Sequence, residues 1–420
     1  MFPAAADMAG EPGGQSLPSG IGAIKITLSA AALVCAGLSA VAAFGQSYGR
    51  QMPEAALNLW PRNGEVFARA SQRMVAIAQS DGSQTIDKQL LNRARGLALR
   101  GLILEPMSVE ALATLGYVEA ANGQRDRARK LMLAGAALSR RNTAIDLWLS
   151  EDAARRGDDM GALRSFDAAI RTSTSAANTL LPMMAAALAK PGAPAAFEQI
   201  LSLDPPWSEG FWTAVLSAPS DLTNSYELRL RLHRRKVPLA PSHDALLIQR
   251  LAQAGKLDEA FTLYEAAGGR APEQHELLHD PDFSADPRFA PIHWKIEENP
   301  SYSSAIDRDD GVLVIGALED AEGPIAQQLV RIRPGRYRLD VRYGKNSAED
   351  APLAVRIACA ELGGERTLNK AFSAKRSGVQ IVDIIGPCRF AWLTVELVPG
   401  ANADGVDTAL DRVSLREITS

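Results

Sequence analysis

The chain has 420 residues, 46% of them hydrophobic, and a formal net charge of −4 from nearly balanced acids and bases. This length exceeds what one compact core fills, so two or three folded units are expected and general disorder is excluded. Without a broad basic balance there is no electrostatic case for a nucleic-acid partner, which demands a cationic face.

The first twenty residues, MFPAAADMAGEPGGQSLPSG, are Pro/Gly-rich without periodicity and read as a disordered tail, 1–20. From Ile26 to Phe44 the chain runs ITLSAAALVCAGLSAVAAF, uncharged and long enough to cross a hydrocarbon layer of about 30 Å. We read 21–44 as one transmembrane signal anchor that is retained; cleavage at the small-residue pattern Ala40-Val41-Ala42 is the alternative. Flanking charge, Lys25 before and Arg50 and Arg62 after, does not set the orientation. The reading adopted is a single-pass protein of a bacterial inner membrane with the bulk of the chain periplasmic. Residues 45–60, opening with GQSYGRQ, form a linker.

Residues 61–270 are Ala-, Leu- and Arg-rich with helical spacing, and they repeat. Gly123 recurs as Gly157, Ala128 as Ala162, Met132 as Phe166 and Gly135 as Ala169, each 34 residues on. In each unit a first helix presents an apolar face (Leu112, Leu115 and Gly116, then Leu149), glycine makes the turn, and small residues on the second helix allow close approach while Met132 or Phe166 fills the remaining gap. Gly255, Ala260, Tyr264 and Ala267 repeat the order of turn, small, large, small, although out of step with the 34-residue period. SDGSQT reads as a loop interrupting the first unit. The region resembles the tetratricopeptide repeat (TPR) family, with good units at about 109–142 and 143–176. The resemblance implies an all-α superhelix whose concave groove takes a protein partner.

A basic run, RLRLHRRK from Arg229 to Lys236, reads as a solvated helix end with its leucines turned inward. The linker 271–288 holds HELLH, His275 to His279. Two histidines four apart on a helix, with a glutamate beside the first, are the zinc-binding pattern of metalloproteases. Pro272 and Asp280-Pro281 restrict any helix there to about two turns, and no convincing third ligand follows. The expectation is a short linker helix with solvated imidazoles; a membrane-tethered zinc hydrolase using His275, Glu276 and His279 is the alternative.

Residues 289–420 alternate apolar and polar residues in short runs. GVLVIGAL, IAQQLVRI, GRYRLDVRYG, LAVRIACAE, GVQIVDIIG, AWLTVELVPG and ALDRVSLREI are seven strands, with HWKIEE and RTLNKAFS as further candidates. Strands without intervening helices argue for an antiparallel sandwich. IRPGRYRLDVRY and LDRVSLREI resemble the middle and closing strands of galactose-binding-like and carbohydrate-binding jelly rolls. The resemblance implies a glycan-contacting face; Trp294, Tyr302, Tyr343 and Trp392 are available as stacking planes, while core packing is the commoner place for single aromatics in strands. DRDDG, from Asp307 to Gly311, reads as a solvated hairpin rather than a calcium loop. Cys359 and Cys388 are a disulfide in an oxidising compartment or two buried thiols in a reducing one.

The sequence therefore describes a multidomain chain with one transmembrane helix, a TPR-like superhelix and a jelly-roll-like sandwich. Its expected role is a non-catalytic scaffold that docks proteins, contacts glycan or protein through the sandwich, and resembles accessory components of cell-surface polysaccharide assembly or export. No cofactor is expected.

Overall fold

The computed structural model of the protein describes residues 52–59, 62–80, 87–218, 222–273, 275–345, 347, 351–361, 368–374, 376–398 and 405–418, with isolated positions 36, 39 and 43. The N-terminal tail, the anchor segment apart from those three positions, and the loop residues 81–86 lie outside the described residues. None of the described helices is long and apolar enough to cross a membrane.

Two compact units divide after Thr172. The first holds seven helices among its described residues: α1 (Pro53–Leu59), α2 (Gly64–Ser80), α3 (Lys88–Leu104), α4 (Val109–Ala121), α5 (Arg125–Leu138), α6 (Thr143–Arg155) and α7 (Asp159–Thr172). Side-chain oxygens start five of them, Asn63 and Asp158 at α2 and α7 among them. Asp87 accepts from the Gln89 N–H at 2.7 Å, Ser108 from Ala111 at 3.4 Å and Asn142 from Ile145 at 3.1 Å, satisfying donors that have no partner inside the helix.

The repeat is visible as two helical hairpins, α4/α5 and α6/α7. Gly123 and Gly157 turn with φ of 79° and 75°, a region that glycine enters without a Cβ clash. The N–H after each closes the same bond, Gln124 to the Glu119 carbonyl at 2.8 Å and Asp158 to Ala153 at 2.9 Å, which caps the orphan carbonyls of the first helix. Leu112, Leu115, Ala128, Met132, Ala162 and Ala169 are buried, as are Gly116 and Gly135, while Leu149 and Phe166 are half-buried. A Cβ on Gly116 would stand 2.7–3.0 Å from three atoms of Met132, and one on Gly135 would stand 2.6 Å from Ile145 Cδ1. These contacts are why small residues recur. Gly116→Val should therefore lower stability by about 1–3 kcal/mol through overpacking. With Met132 shortened to alanine, Gly116→Ala should instead stabilise, since the helix preference for alanine, about 1 kcal/mol, then acts unopposed. Denaturant titration of the four variants checks this; a destabilising Gly116→Ala in both backgrounds would remove Met132 as the cause.

The second unit, Ser173–Ser420, joins six helices among its described residues to the sandwich. They are α8 (Thr174–Ala187), α9 (Ala193–Leu201), α10 (Ser208–Ser217), α11 (Leu222–Arg234), α12 (Pro241–Gln253) and α13 (Leu257–Ala266). The α12/α13 hairpin repeats the earlier turn, with Gly255 at φ 72° and Lys256 N–H on the Leu251 carbonyl at 2.9 Å. Ala260 is buried and Ala267 half-buried.

The basic run ends as expected, with Arg234, Arg235 and Lys236 exposed, but it begins in the interior. Arg229 and Asp244 form a buried pair at 2.6 Å, His233 Nε2 reaches Asp244 at 3.0 Å, and Arg231 and Arg235 both pair with Glu198. Leu232 is buried, as its helical position requires.

Ten strands follow among the described residues: β1 (Lys295–Ile296), β2 (Tyr302–Asp307), β3 (Val312–Ala317), β4 (Gly323–Arg331), β5 (Gly335–Tyr343), β6 (Leu353–Cys359), β7 (Asn369–Ser373), β8 (Gly378–Ile384), β9 (Phe390–Leu397) and β10 (Val406–Glu417). They form two antiparallel sheets, β1-β4-β9-β6-β7 and β2-β3-β10-β5-β8. Tyr337, Leu339 and Val341 of β5 point into a shared core with Leu313, Val355, Leu393 and Val413. All nine strand segments read from the sequence are present, and β2 is additional. DRDDG is the β2/β3 turn, where Asp307 Oδ1 accepts from the Asp309 and Asp310 N–H groups at 3.1 and 3.3 Å.

The expected break between helices and sandwich is not found at 271–288. Leu278 and Phe283 lie in the sandwich core, and Phe261 of α13 stacks on Phe390 of β9 with centroids 5.4 Å apart. Leu247, Ile248, Phe289, Ile292 and Leu329 complete one apolar cluster shared by helices and sheet. Burying this outward face of the sheet makes the last helices and the sandwich one unit.

Candidate functional site

HELLH does not form a helix. Its backbone runs antiparallel to the end of β10: Leu277 N–H donates to the Leu415 carbonyl at 2.9 Å, Glu417 N–H to His275 at 2.8 Å and Val413 N–H to Pro281 at 2.8 Å. The reason lies in β10, which pairs with β3 only as far as Leu410 and shifts register before Arg412. Beyond that shift its free hydrogen-bonding groups receive residues 275–281, and extended pairing replaces helix.

The three residues of the zinc pattern consequently separate. His275 is exposed at φ 70°. Glu276 is buried, accepting from Ser414 Oγ at 2.6 Å, the Leu415 N–H at 2.9 Å and Arg416 Nε at 3.1 Å. His279 turns the other way, and the solvated imidazole expected there is instead substantially buried. The His279 backbone N–H donates to Gln328 Oε1 at 2.7 Å while Gln328 Nε2 donates to the His279 backbone carbonyl at 3.0 Å. Among the described residues, the His, Cys, Asp and Glu side chains near enough to share an ion are Cys359, Glu361 and Cys388, and those two cysteines are joined in a disulfide with Cα atoms 5.9 Å apart. The bond fastens the end of β6 to the turn entering β9.

His279 lines a cavity of about 660 Å³ between the end of α13 and the sandwich. Tyr264, expected to fill the gap in its hairpin, reaches into this cavity. Its hydroxyl lies 2.8 Å from the Arg270 carbonyl, 3.1 Å from His293 Nε2 and 3.5 Å from His279 Nδ1. The two imidazole centroids are 5.0 Å apart. Burial, reinforced by His293, pushes the His279 pKa down to about 4. Burial also lowers that of His293, against an opposing hydrogen bond at Asp286, and raises that of Tyr264. Both imidazoles are thus neutral near pH 7, acting as polar packing around one hydroxyl.

Adjoining this cavity through Arg412 and Arg416 is a depression of about 310 Å³ on the outer face of β5 and β10. Its floor is Asp340 and Ser414, both buried; its walls are Arg338, Arg342, Arg412 and Arg416. The sequence reading missed these arginines. Their signal is the polar or charged residue at every second position, Arg338, Asp340 and Arg342 in one segment and Arg412, Ser414 and Arg416 in the other, which puts them on one face of a strand. What the sequence does not supply is the pairing of Arg412 with Arg342, Ser414 with Asp340 and Arg416 with Arg338.

The four candidate aromatics pack as core rather than as a stacking platform. Trp294, Tyr302 and Tyr343 are buried in the sandwich core, with Trp294 Nε1 donating to the Asp280 carbonyl at 2.9 Å and Tyr343 Oη to Ala374 at 2.7 Å. Trp392 packs against the cluster under α12 and α13. Trp294, Tyr302 and Tyr343 offer no open face, and Trp392 is half-buried; aromatic rings are more stable covering apolar surface than displaying it.

No protein-family description matches this chain, and no curated protein does. Among solved structures it is similar to TmCBM61 in complex with β-1,4-galactotriose. The probability is 1.00, the sequence identity 16% and the TM-score 0.25, over 34% of this chain and 99% of that one, a likeness too low to carry an argument about what is bound.

Proposed function

We propose that the protein works by binding rather than by catalysis. It is an exported, membrane-anchored scaffold whose TPR-like hairpins dock a protein partner and whose sandwich contacts glycan, in the setting of cell-surface polysaccharide assembly or export. The observation that carries the scaffold reading is the recurrence of one hairpin, with Gly123, Gly157 and Gly255 turning alike at φ of 72–79°. Stacked hairpins of this kind make extended binding surfaces and contribute no reacting group. Exposed Leu99 and Ile103, one turn apart on α3, and Met107 just beyond it add apolar surface for a partner. The Cys359–Cys388 bond favours an oxidising compartment and hence export. The glycan reading is supported by the open outer face of the β5/β10 sheet, where Asp340 and Ser414, bonded to Arg342 and Glu276, keep oxygen lone pairs for hydroxyl groups.

The full chain, purified in detergent without a histidine tag, should carry no stoichiometric zinc and should retain ligands on a glycan array. Stoichiometric zinc lost in His279→Ala would overturn the binding reading in favour of a hydrolase. A blank array would remove the glycan contact and leave protein docking as the role.

A further inference from the structure

Four arginines on one small face require an explanation, because two pairs of them stand directly opposite each other. Arg412 faces Arg342 across the β10/β5 ladder and Arg416 faces Arg338. Opposed like charges weaken a sheet, and their neutralisation is incomplete. Asp340 pairs with Arg342 at 2.9 Å and Glu276 with Arg416 at 3.1 Å. Among the described residues, Arg338 and Arg412 have no carboxylate at ion-pair distance, so four guanidinium groups meet two carboxylates.

The arrangement has a shape as well as a sign. Arg338 and Arg342 are four residues apart on one strand, and Arg416 and Arg412 are four apart on the next, so the two arginine pairs are separated by about 13 Å along the strands. Between them lie Asp340, an acceptor, and Ser414, a hydroxyl, facing each other on the floor. On the third strand the residues opposite Arg338 and Asp340 are Ile381 and Val379. These are about half exposed, at 52% and 49%, and give the depression an apolar flank.

We infer that this depression binds an anionic polysaccharide through acidic groups held at its two ends, with the sugar hydroxyls between them over Asp340 and Ser414. The inference rests on the proposal that the sandwich contacts glycan and specifies which class. Guanidinium pairs grip carboxylate or sulfate oxygens through paired N–H donors. The central carboxylate takes a sugar hydroxyl and disfavours an anionic group set directly over it. Val379 and Ile381 cover the C–H face of a ring, the role that the buried aromatics do not fill.

The full chain in detergent, titrated by calorimetry, should bind polygalacturonate, with affinity falling as sodium chloride is raised. The double variant Arg338→Gln/Arg412→Gln should weaken that binding by about tenfold or more and melt no lower than the parent, since it relieves both like-charge oppositions. Neutral β-1,4-galactan should bind far more weakly and be indifferent to the double variant. Dextran sulfate tests whether sulfate substitutes for carboxylate; binding that the double variant abolishes would extend the site to both anions. Equal binding of galactan and polygalacturonate, unchanged in the double variant, overturns the anionic specificity and leaves the glycan contact standing. No binding of any of the three polymers overturns both. A double-stranded DNA fragment bound as tightly as polygalacturonate would replace glycan recognition with general polyanion attraction.

Discussion

Arg229→Ala should cost on the order of 3–5 kcal/mol, because it leaves a buried carboxylate without its main counter-charge. Arg229 on α11 and Asp244 on α12 are 1% and 3% exposed in their side chains and meet at 2.6 Å. The same guanidinium donates to the Ala240 carbonyl at 2.8 Å and lies 4.7 Å above the ring of Trp212 on α10. Burial opposes ionisation of Asp244, yet the hydrogen bonds from His233 and Arg229 outweigh it and hold the carboxyl below its usual range. Removing both charges is a different operation from removing one. Arg229→Met with Asp244→Leu should unfold closer to the parent than either single variant, because no charge is left stranded in an apolar setting. Urea titration of the full chain decides it; an Arg229→Ala variant with an unchanged midpoint would show that the pair contributes nothing, and a double variant worse than both singles would show that packing at Arg229 outweighs its charge.

Acidification should act on the two units with opposite sign. In the second unit, the folded pKa of His279 is about 4 against an ordinary 6.5, so between those values the unfolded chain holds more protons and stability falls as pH falls. The contribution of His279 is fully present above pH 6.5, is lost by about pH 4, and is on the order of 2–3 kcal/mol. His293, also lowered by burial, adds in the same direction. In the first unit, Asp146 on α6 is 7% exposed, its Oδ2 lacks a partner among the described residues, and burial raises its pKa to about 6. There the folded chain holds the extra proton between 3.8 and 6, so stability falls as pH rises through that window. Asp146→Asn should accordingly stabilise at pH 7 by about 2 kcal/mol and do little at pH 4. His279→Gln should flatten the acid limb without touching the Asp146 limb. Melting curves from pH 4 to 7.5 check both; a His279→Gln variant less stable at pH 7 than at pH 5, and an Asp146→Asn variant that is not, is the expected pattern, and acid loss that persists unchanged in His279→Gln would exonerate that imidazole.

What could be read without coordinates was whatever depends on short-range periodicity. The hairpins around Gly123 and Gly157 follow from small residues at a constant interval, and the strands follow from alternation; β2, YSSAID, escaped because serine and alanine give little contrast between its faces. The boundary between helices and sandwich was misplaced for a reason also present in the residues. IAQQLVRI and FAWLTVEL carry bulky apolar groups on both faces, Leu329, Phe390 and Trp392 outward as well as Val330 and Leu393 inward, and a sheet apolar on both sides is covered on both sides. The site was least legible. The fate of HELLH depends on the register shift after Leu410, and the arginine quartet depends on which strands are neighbours. Both are long-range facts that local composition does not encode.

The pairing of residues 275–281 with β10, locked by the Gln328 amide, makes the supposed protease signature a seal. A strand whose N–H and C=O groups are left bare recruits whatever chain comes near, which is the route to sheet-to-sheet aggregation. A fragment cut at residue 289, where strand alternation begins, would shed that cover together with Leu278 and Phe283, and would be expected to associate with itself. The functional sandwich begins fourteen residues earlier, at His275, and depends on α13 for the shelter of its other face.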